Sequence, residues 1–370
     1  MRATAVRTDV AVEELEVGAY TIPTDAPEAD GTLSWSSTTI VVVHAYGGGE
    51  WGLGYSYTDV SAAKLIESKL AEVVQGRDAM SPQAAWEGMV TAVRNVGRPG
   101  VASMAIAAVD TALWDLKARL IGLPLCQLLG MARDRVPIYG SGGFTAYDNA
   151  RLTEQLAGWV RDGIPRVKMK VGSDPGRDPE RVRRAREAIG PTAELFVDGN
   201  GAYSRKQALA LAERFREEAE VSWFEEPVSS DDLKGMRLVR DRAPAGMPIA
   251  AGEYGFDVAY FARMLEAGAV DVLQADVTRC MGITELLRVD GLCRADGVQL
   301  SLHCGPAIHL HPGLALDRLV HLEYFHDHVR IEHMLFDGVA EPRDGALFPE
   351  LDRPGIGIQL KRGEAERYAA

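Results

Sequence analysis

From Val136 onward the chain alternates between short β-branched or apolar runs and longer amphipathic runs, and this alternation limits the fold more than any other feature. The short runs are "RVPIYGS", "RVKMKVG", "ELFVDGN", "SWFEEP", "MPIAAGE", "DVLQAD", "VQLSLHCG" and "LVHLEYF". Between them lie helical patterns such as "DPERVRRAREAIG" and "SRKQALALAERFREEA". Strands separated by helices pair in parallel, because each crossover returns the chain to the same edge. Eight such units at this spacing predict a closed (β/α)8-type barrel rather than an open sheet. No GxGxxG opens a helix, which argues against a dinucleotide site.

The first 130 residues follow another pattern. "TTIVVVHAYGGGEWGLGYSYT" reads as two antiparallel strands around a glycine-rich turn, and "VASMAIAAVDTALWDLKARLIG" as a strongly apolar helix. The expected organisation is an α+β domain over 1–130, a barrel over 131–340, and a return of 341–370 to the first domain. The run Met1 to Gly18 alternates like a strand and has no signal-peptide core.

A net charge of −13 argues against nucleic acid or an anionic membrane as partner. No apolar run is long enough to span a bilayer. Cys126, Cys280, Cys293 and Cys304 show no CxxC spacing, so reduced thiols and a cytoplasmic location are expected.

Every strand from the second to the eighth ends in ionisable residues: Lys168 and Lys170, Asp198 with Asn200, Glu225 and Glu226, Glu253, Asp276, His303, Glu323. Barrel active sites are built at these ends. Asp198, Glu225 and Glu253 follow at intervals of 27 and 28 residues, one βα unit each (225 − 198 and 253 − 225). Three carboxylates on adjacent strands would repel, and a hard divalent cation removes the conflict. An all-oxygen donor set selects Mg2+ or Mn2+ over zinc.

Lys168 and Lys170 are two residues apart and share one face of their strand. Each is expected to lower the other's pKa, which would suit Lys170 to work as a base. Asp276 and His303 lie one βα unit apart, as an acid/base pair in which Asp276 sets the imidazole tautomer. Seven of the eight histidines follow position 300. His309, His311, His326 and His328 are therefore assigned to structural or supporting positions. Strand alternation is expected to turn Cys304 away from His303, so no nucleophile is assigned.

These motifs together resemble the enolase superfamily, and within it the mandelate racemase-like subgroup. "VKMKVG" is similar to that family's Lys-x-Lys signature. "FVDGN", "WFEEP" and "AAGE" are similar to its three metal-ligand strands, "LQADVT" and "SLHCG" to its Asp/His dyad, and "LEYF" to its eighth strand. The resemblance implies a modified (β/α)7β TIM-like barrel with an N-terminal α+β capping domain completed by the C-terminal tail. It implies Mg2+ on Asp198, Glu225 and Glu253, with Lys170 and His303 on opposite faces of the substrate α-carbon. It also implies Lys168 and a protonated Glu323 at the substrate carboxylate. The muconate-lactonising subgroup would carry Lys at Asp276, which argues against a cycloisomerase.

The activity so implied is removal of the proton α to a carboxylate, followed by loss of water from a polyhydroxy acid. Racemisation or epimerisation is the first alternative. A barrel that binds metal and a carboxylate ligand without turnover is the second. A small-molecule carboxylate and a homo-oligomeric assembly are the expected partners. Tyr20 to Trp35 is too long and Pro/Gly-rich for a tight hairpin, and the resemblance makes it a mobile lid. Tyr20, Asp25, Asp30 and Trp35, with Asn200, are then the expected substrate contacts.

Overall fold

The computed structural model describes residues 9–370. The strand-like run expected over Met1 to Gly18 therefore lies in part, at residues 1–8, outside the described residues. The chain opens with an antiparallel three-stranded sheet: β1 (Glu14–Ala29), β2 (Ser34–Gly47) and β3 (Glu50–Tyr57). The apolar helix Val101–Ile121 packs on this sheet with most of its side chains buried. Contact is close because β3 carries glycines there. A Cβ on Gly52 would come within 2.2 Å of the Ala112 carbonyl oxygen, and one on Gly54 within 2.2 Å of that of Ala108. Only glycine lets two backbones approach so closely.

All eight strands expected in the alternating region are present. They are β4 (Val136–Gly142), β5 (Arg166–Lys170), β6 (Glu194–Asp198), β7 (Val221–Glu225), β8 (Ile249–Ala251), β9 (Val272–Ala275), β10 (Gln299–Leu302) and β11 (Leu319–Phe325). Each is parallel to the next, and β11 pairs with β4 to close the barrel. Several of the barrel helices begin where a side chain satisfies free N–H groups. Ser204 and Gln207 form a reciprocal capping box at the helix Arg205–Ala219. Asp148 and Asp257 cap the helices Asn149–Arg161 and Val258–Glu266.

The strand period of two explains how the barrel holds both a core and a polar mouth. Tyr139, Phe196 and Trp223 form an apolar layer inside the barrel, with Phe196 and Trp223 stacked at 5.3 Å. Two residues further along the same strands stand Ser141, Asp198 and Glu225, on the same inward face. The same spacing places Glu323 two residues after His321, whose ring packs on Tyr139 at 4.8 Å.

The tail returns across both parts. Strand β12 (Phe336–Asp337) pairs with β14 (Gln359–Leu360), and β13 (Ala346–Leu347) runs antiparallel to β4. The Ile356 N–H donates to Asp115 on the long cap helix at 2.6 Å, and Ala369 bridges to Tyr20 on β1. All four cysteines are buried and free. No helix among the described residues is long and apolar enough to cross a membrane.

Tyr20 to Trp35 differs from expectation. It is not a loop: β1 and β2 pair through most of it, with a register shift between Pro23 and Glu28, and turn only around Asp30 to Leu33. The proline and the acidic residues are absorbed in that irregularity. The hairpin tip rests on the barrel. A Cβ on Gly31 would come within 2.6 Å of the Gly199 carbonyl oxygen, and Thr145 donates from its N–H to Ala29 O and from its hydroxyl to Asp30 O.

Candidate active site

The strand-end residues meet in a buried charged cluster at the barrel mouth. Lys168 is fully buried, and its Nζ lies 2.6 Å from Glu225 Oε1, 2.9 Å from Glu323 Oε1 and 3.4 Å from Asp198 Oδ2. Lys170 donates to Asp198 Oδ2 at 2.5 Å. Asp198, Glu225 and Glu253 each bring one carboxylate oxygen within 4.8 Å of the others, all buried. Glu253 Oε2 is buried without a hydrogen-bond partner. Three converging carboxyl groups with an unsatisfied oxygen make a cradle that fits a hard cation.

On the other side His303 Nδ1 lies 2.9 Å from Asp276 Oδ2. Asp276 Oδ1 accepts from the Thr278 N–H at 2.7 Å and from its hydroxyl at 2.8 Å, which locks the carboxylate. Burial favours the protonated acid, but the hydrogen bond with His303 and the nearby Arg279 guanidinium help hold Asp276 below the usual carboxylate range. An ionised Asp276 accepts the Nδ1 proton and leaves the Nε2 lone pair free. Nε2 lies 3.4 Å from Glu253 Oε2.

Two electrostatic expectations are corrected. Lys170 is not drawn towards neutrality by Lys168. Burial is the largest influence and pulls it down, but Asp198 in direct contact, with Glu253 and Glu323 nearby, holds the ammonium above the usual lysine range. Glu323 is not pushed towards the protonated form in this arrangement. Burial would raise it, but Lys168 and His303 hold it well below the usual range. Burial and Asp198 push Glu225 the other way, well above the usual range.

Above the cluster is a cavity of about 480 Å³. Its floor is Lys170, Asn200, Glu253, Arg279, His303 and Cys304, and its walls come from the cap through Asp30, Leu33, Trp35, Thr38 and Tyr57. Of the four cap residues expected at the substrate, Asp30 and Trp35 line the cavity. Tyr20 and Asp25 do not. Tyr20 sits mid-strand opposite Ile40 and beside the C-terminus. Asp25 pairs outside with Arg151 at 3.1 Å and His326 at 3.2 Å. Both are expected on a loop, but Tyr20 lies in the paired part of the strand and Asp25 in its register shift, which directs them elsewhere.

Cys304 also differs from expectation. Its thiol does not turn away: Sγ lies 3.2 Å from His303 Nε2 and 3.4 Å from Glu323 Oε2. Strand β10 ends at Leu302, and Cys304 has φ +52°, so alternation no longer governs it. Asn200 and Glu226, with φ +44° and +38°, also lie just past their strand ends in a region unusual for residues with a side chain. Such backbone concentrates at functional sites.

Arg279 escaped sequence reasoning. Its Nη1 lies 3.4 Å from Glu253 Oε1 and its Nε 3.7 Å from Asp276 Oδ2, so it links the metal cradle to the dyad. The only available signal was a basic residue one helical turn after Asp276. Of the remaining histidines, His309 Nε2 accepts the Val277 N–H at 2.7 Å beneath the dyad. His311 accepts from Cys126 N, and His328 accepts from Gly305 N while stacking on Tyr57 at 3.4 Å.

Comparisons with known proteins agree with this geometry. Residues 151–365 match the model of the enolase C-terminal domain-like family. Residues 19–130 match the mandelate racemase / muconate lactonizing enzyme N-terminal domain. A mandelate racemase/muconate lactonizing enzyme-like protein from Rubrobacter xylanophilus is 60% identical, with TM-score 0.96 over 97% of this chain and 100% of its own. L-talarate/galactarate dehydratase from Salmonella typhimurium LT2, solved with Mg and L-lyxarohydroxamate, is 28% identical, with TM-score 0.89 over 100% of this chain and 95% of its own. A 3,6-anhydro-alpha-L-galactonate cycloisomerase from Streptomyces coelicolor is 31% identical over 94% of this chain and 97% of its own. The chain belongs to the mandelate racemase/muconate lactonizing enzyme family of the enolase superfamily.

Proposed function

We propose that the chain is a Mg2+-dependent dehydratase of polyhydroxy (sugar) acids. The observation that carries this reading is the placement of two bases, Lys170 and His303, in one cavity beside a three-carboxylate cradle. Asp198, Glu225 and Glu253 would hold the ion. When bound, Mg2+ supplies Lewis-acid stabilisation of the charge that builds on a substrate carboxylate as its α-proton leaves.

The chain's own residues do the rest. Lys168 faces that carboxylate as a fixed cation, since burial is outweighed by Glu225 and Glu323 and its pKa stays well above the usual range. One of Lys170 and His303 removes the α-proton, Lys170 only where Asp198 is engaged by the ion and no longer holds its ammonium, and the other returns a proton to the β-hydroxyl as it departs as water. The enol that remains tautomerises to a 2-keto-3-deoxy acid. Asp276 holds His303 in the tautomer with Nε2 free. Asn200 Oδ1, buried and without a partner, is suited to accept from a substrate hydroxyl. Asp30 on the hairpin tip offers another acceptor, while the tip and Trp35 exclude water.

Two bases in one cavity also suit proton return to the α-carbon, which is racemisation or epimerisation. Incubation with Mg2+ and a library of aldonates and aldarates, read by mass, separates these outcomes. A product lighter by one water supports dehydration, an isomer of equal mass supports epimerisation, and binding without either supports a non-catalytic barrel.

A further inference from the structure

We propose that His303, Cys304 and Glu323 form a second, soft-metal site for Zn2+ inside the catalytic cavity, separate from the carboxylate cradle. Occupying it would take His303 out of proton transfer. The three atoms concerned are all buried: Nε2, Sγ and Oε2. They stand 3.2 Å (N to S), 3.4 Å (S to O) and 3.7 Å (N to O) apart. A tetrahedral zinc with its usual bond lengths to sulfur, nitrogen and oxygen has ligand-to-ligand edges of about 3.3–3.6 Å. The triangle therefore fits one face of that tetrahedron with shifts of a few tenths of an ångström.

The surroundings prepare each ligand. Asp276 accepts from His303 Nδ1, as a carboxylate does behind a zinc-bound imidazole, and aims Nε2 at the site. Glu323 divides its oxygens. Oε1 is taken by Lys168 at 2.9 Å and Ser141 at 2.5 Å, which leaves Oε2 facing the thiol and imidazole. Cys304 is held there by its left-handed backbone, and its N–H also donates to Glu323 Oε2. His303 and Cys304 both line the cavity, which leaves the fourth position of the tetrahedron open to water. The N/S/O donor set differs in kind from the all-oxygen cradle, so the two sites would sort metals by softness. On binding, the thiol releases its proton to solvent and becomes a thiolate ligand.

Co2+ is the probe, added to the full chain saturated with Mg2+. The expected result is a near-ultraviolet sulfur-to-cobalt charge-transfer band that saturates at one equivalent and is bleached by Zn2+. Cys304→Ser should lose the band and bind Zn2+ at least about 10-fold more weakly, with Mg2+ affinity unchanged. Absence of the band in the wild-type chain overturns the proposal without any variant. So does a band, or a Zn2+ affinity, that persists in both Cys304→Ser and Cys304→Ala.

Discussion

Replacing Asp276 by Asn tests the His303 assignment with little steric change. The amide oxygen can still accept from the Thr278 N–H and hydroxyl, which bind Oδ1 at 2.7 and 2.8 Å. The atom facing His303 Nδ1 at 2.9 Å, however, changes from an acceptor to a donor. Two donors cannot share that contact, so Nδ1 must accept and Nε2 must carry the proton. His303 then presents N–H where a lone pair is needed. General acid/base groups contribute about 10²–10⁴-fold, or about 3–5 kcal/mol of barrier. The variant should lose kcat by that factor on whichever acid sugar wild-type enzyme dehydrates. Mg2+ affinity, measured by calorimetry, should stay close to wild type, because Asp276 is not among the cradle carboxylates. Turnover within a few-fold of wild type would refute the tautomer argument. Loss of Mg2+ binding in place of turnover would refute the separation of dyad and cradle.

Glu253→Gln should weaken Mg2+ binding and abolish turnover while thermal unfolding of the metal-free chain stays cooperative, as titration and calorimetry would record. Lys168→Met should destabilise the metal-free chain by about 3–5 kcal/mol in denaturant unfolding, because it leaves Glu225, Glu323 and Asp198 buried without their shared cation. Added Mg2+ should restore part of that loss. Burial raises Glu332 to about 8 in the folded chain, despite its hydrogen bond from Tyr55. The folded state therefore holds a proton that the unfolded state releases, and stability from this group is full below about pH 4.5 and falls up to about pH 8. Its slope is at most about 1.4 kcal/mol per pH unit, and Glu332→Gln should flatten that part of a pH series of melting curves.

The barrel was legible because its signals are local and repeated. Each strand carries its own apolar run, each helix its own amphipathic pattern and caps, and eight copies of the pair leave few topologies. The inward line of Lys168, Lys170, Asp198, Glu225 and Glu323 followed from the strand period alone. What was missed lies where that period stops. Cys304 was sent to the wrong face because the strand ends two residues before it and the backbone turns left-handed. Tyr20 and Asp25 were misplaced because a strand with a register shift, containing Pro23, Pro27 and several acidic residues, reads as a loop. The charge states of Lys170 and Glu323 depend on partners from other strands. Lys168 next door argues for a lowered Lys170, but the carboxylates that together win, Asp198, Glu253 and Glu323, come from other strands and carry no trace in "VKMKVG". Arg279 was invisible for the same reason, since its meaning lies in reaching both Glu253 and Asp276.

The central claim is that this mouth removes a proton α to a carboxylate with two bases and a magnesium-binding cradle. Proton NMR in D2O tests it most directly, with the chain, Mg2+ and a panel of polyhydroxy acids, including any that are bound but not dehydrated. The account predicts loss of the α-proton signal, or deuterium in the product, that stops on chelation and in the Lys170→Ala, His303→Asn double variant. Exchange that continues in the double variant, or that proceeds equally well with chelator present, would contradict it.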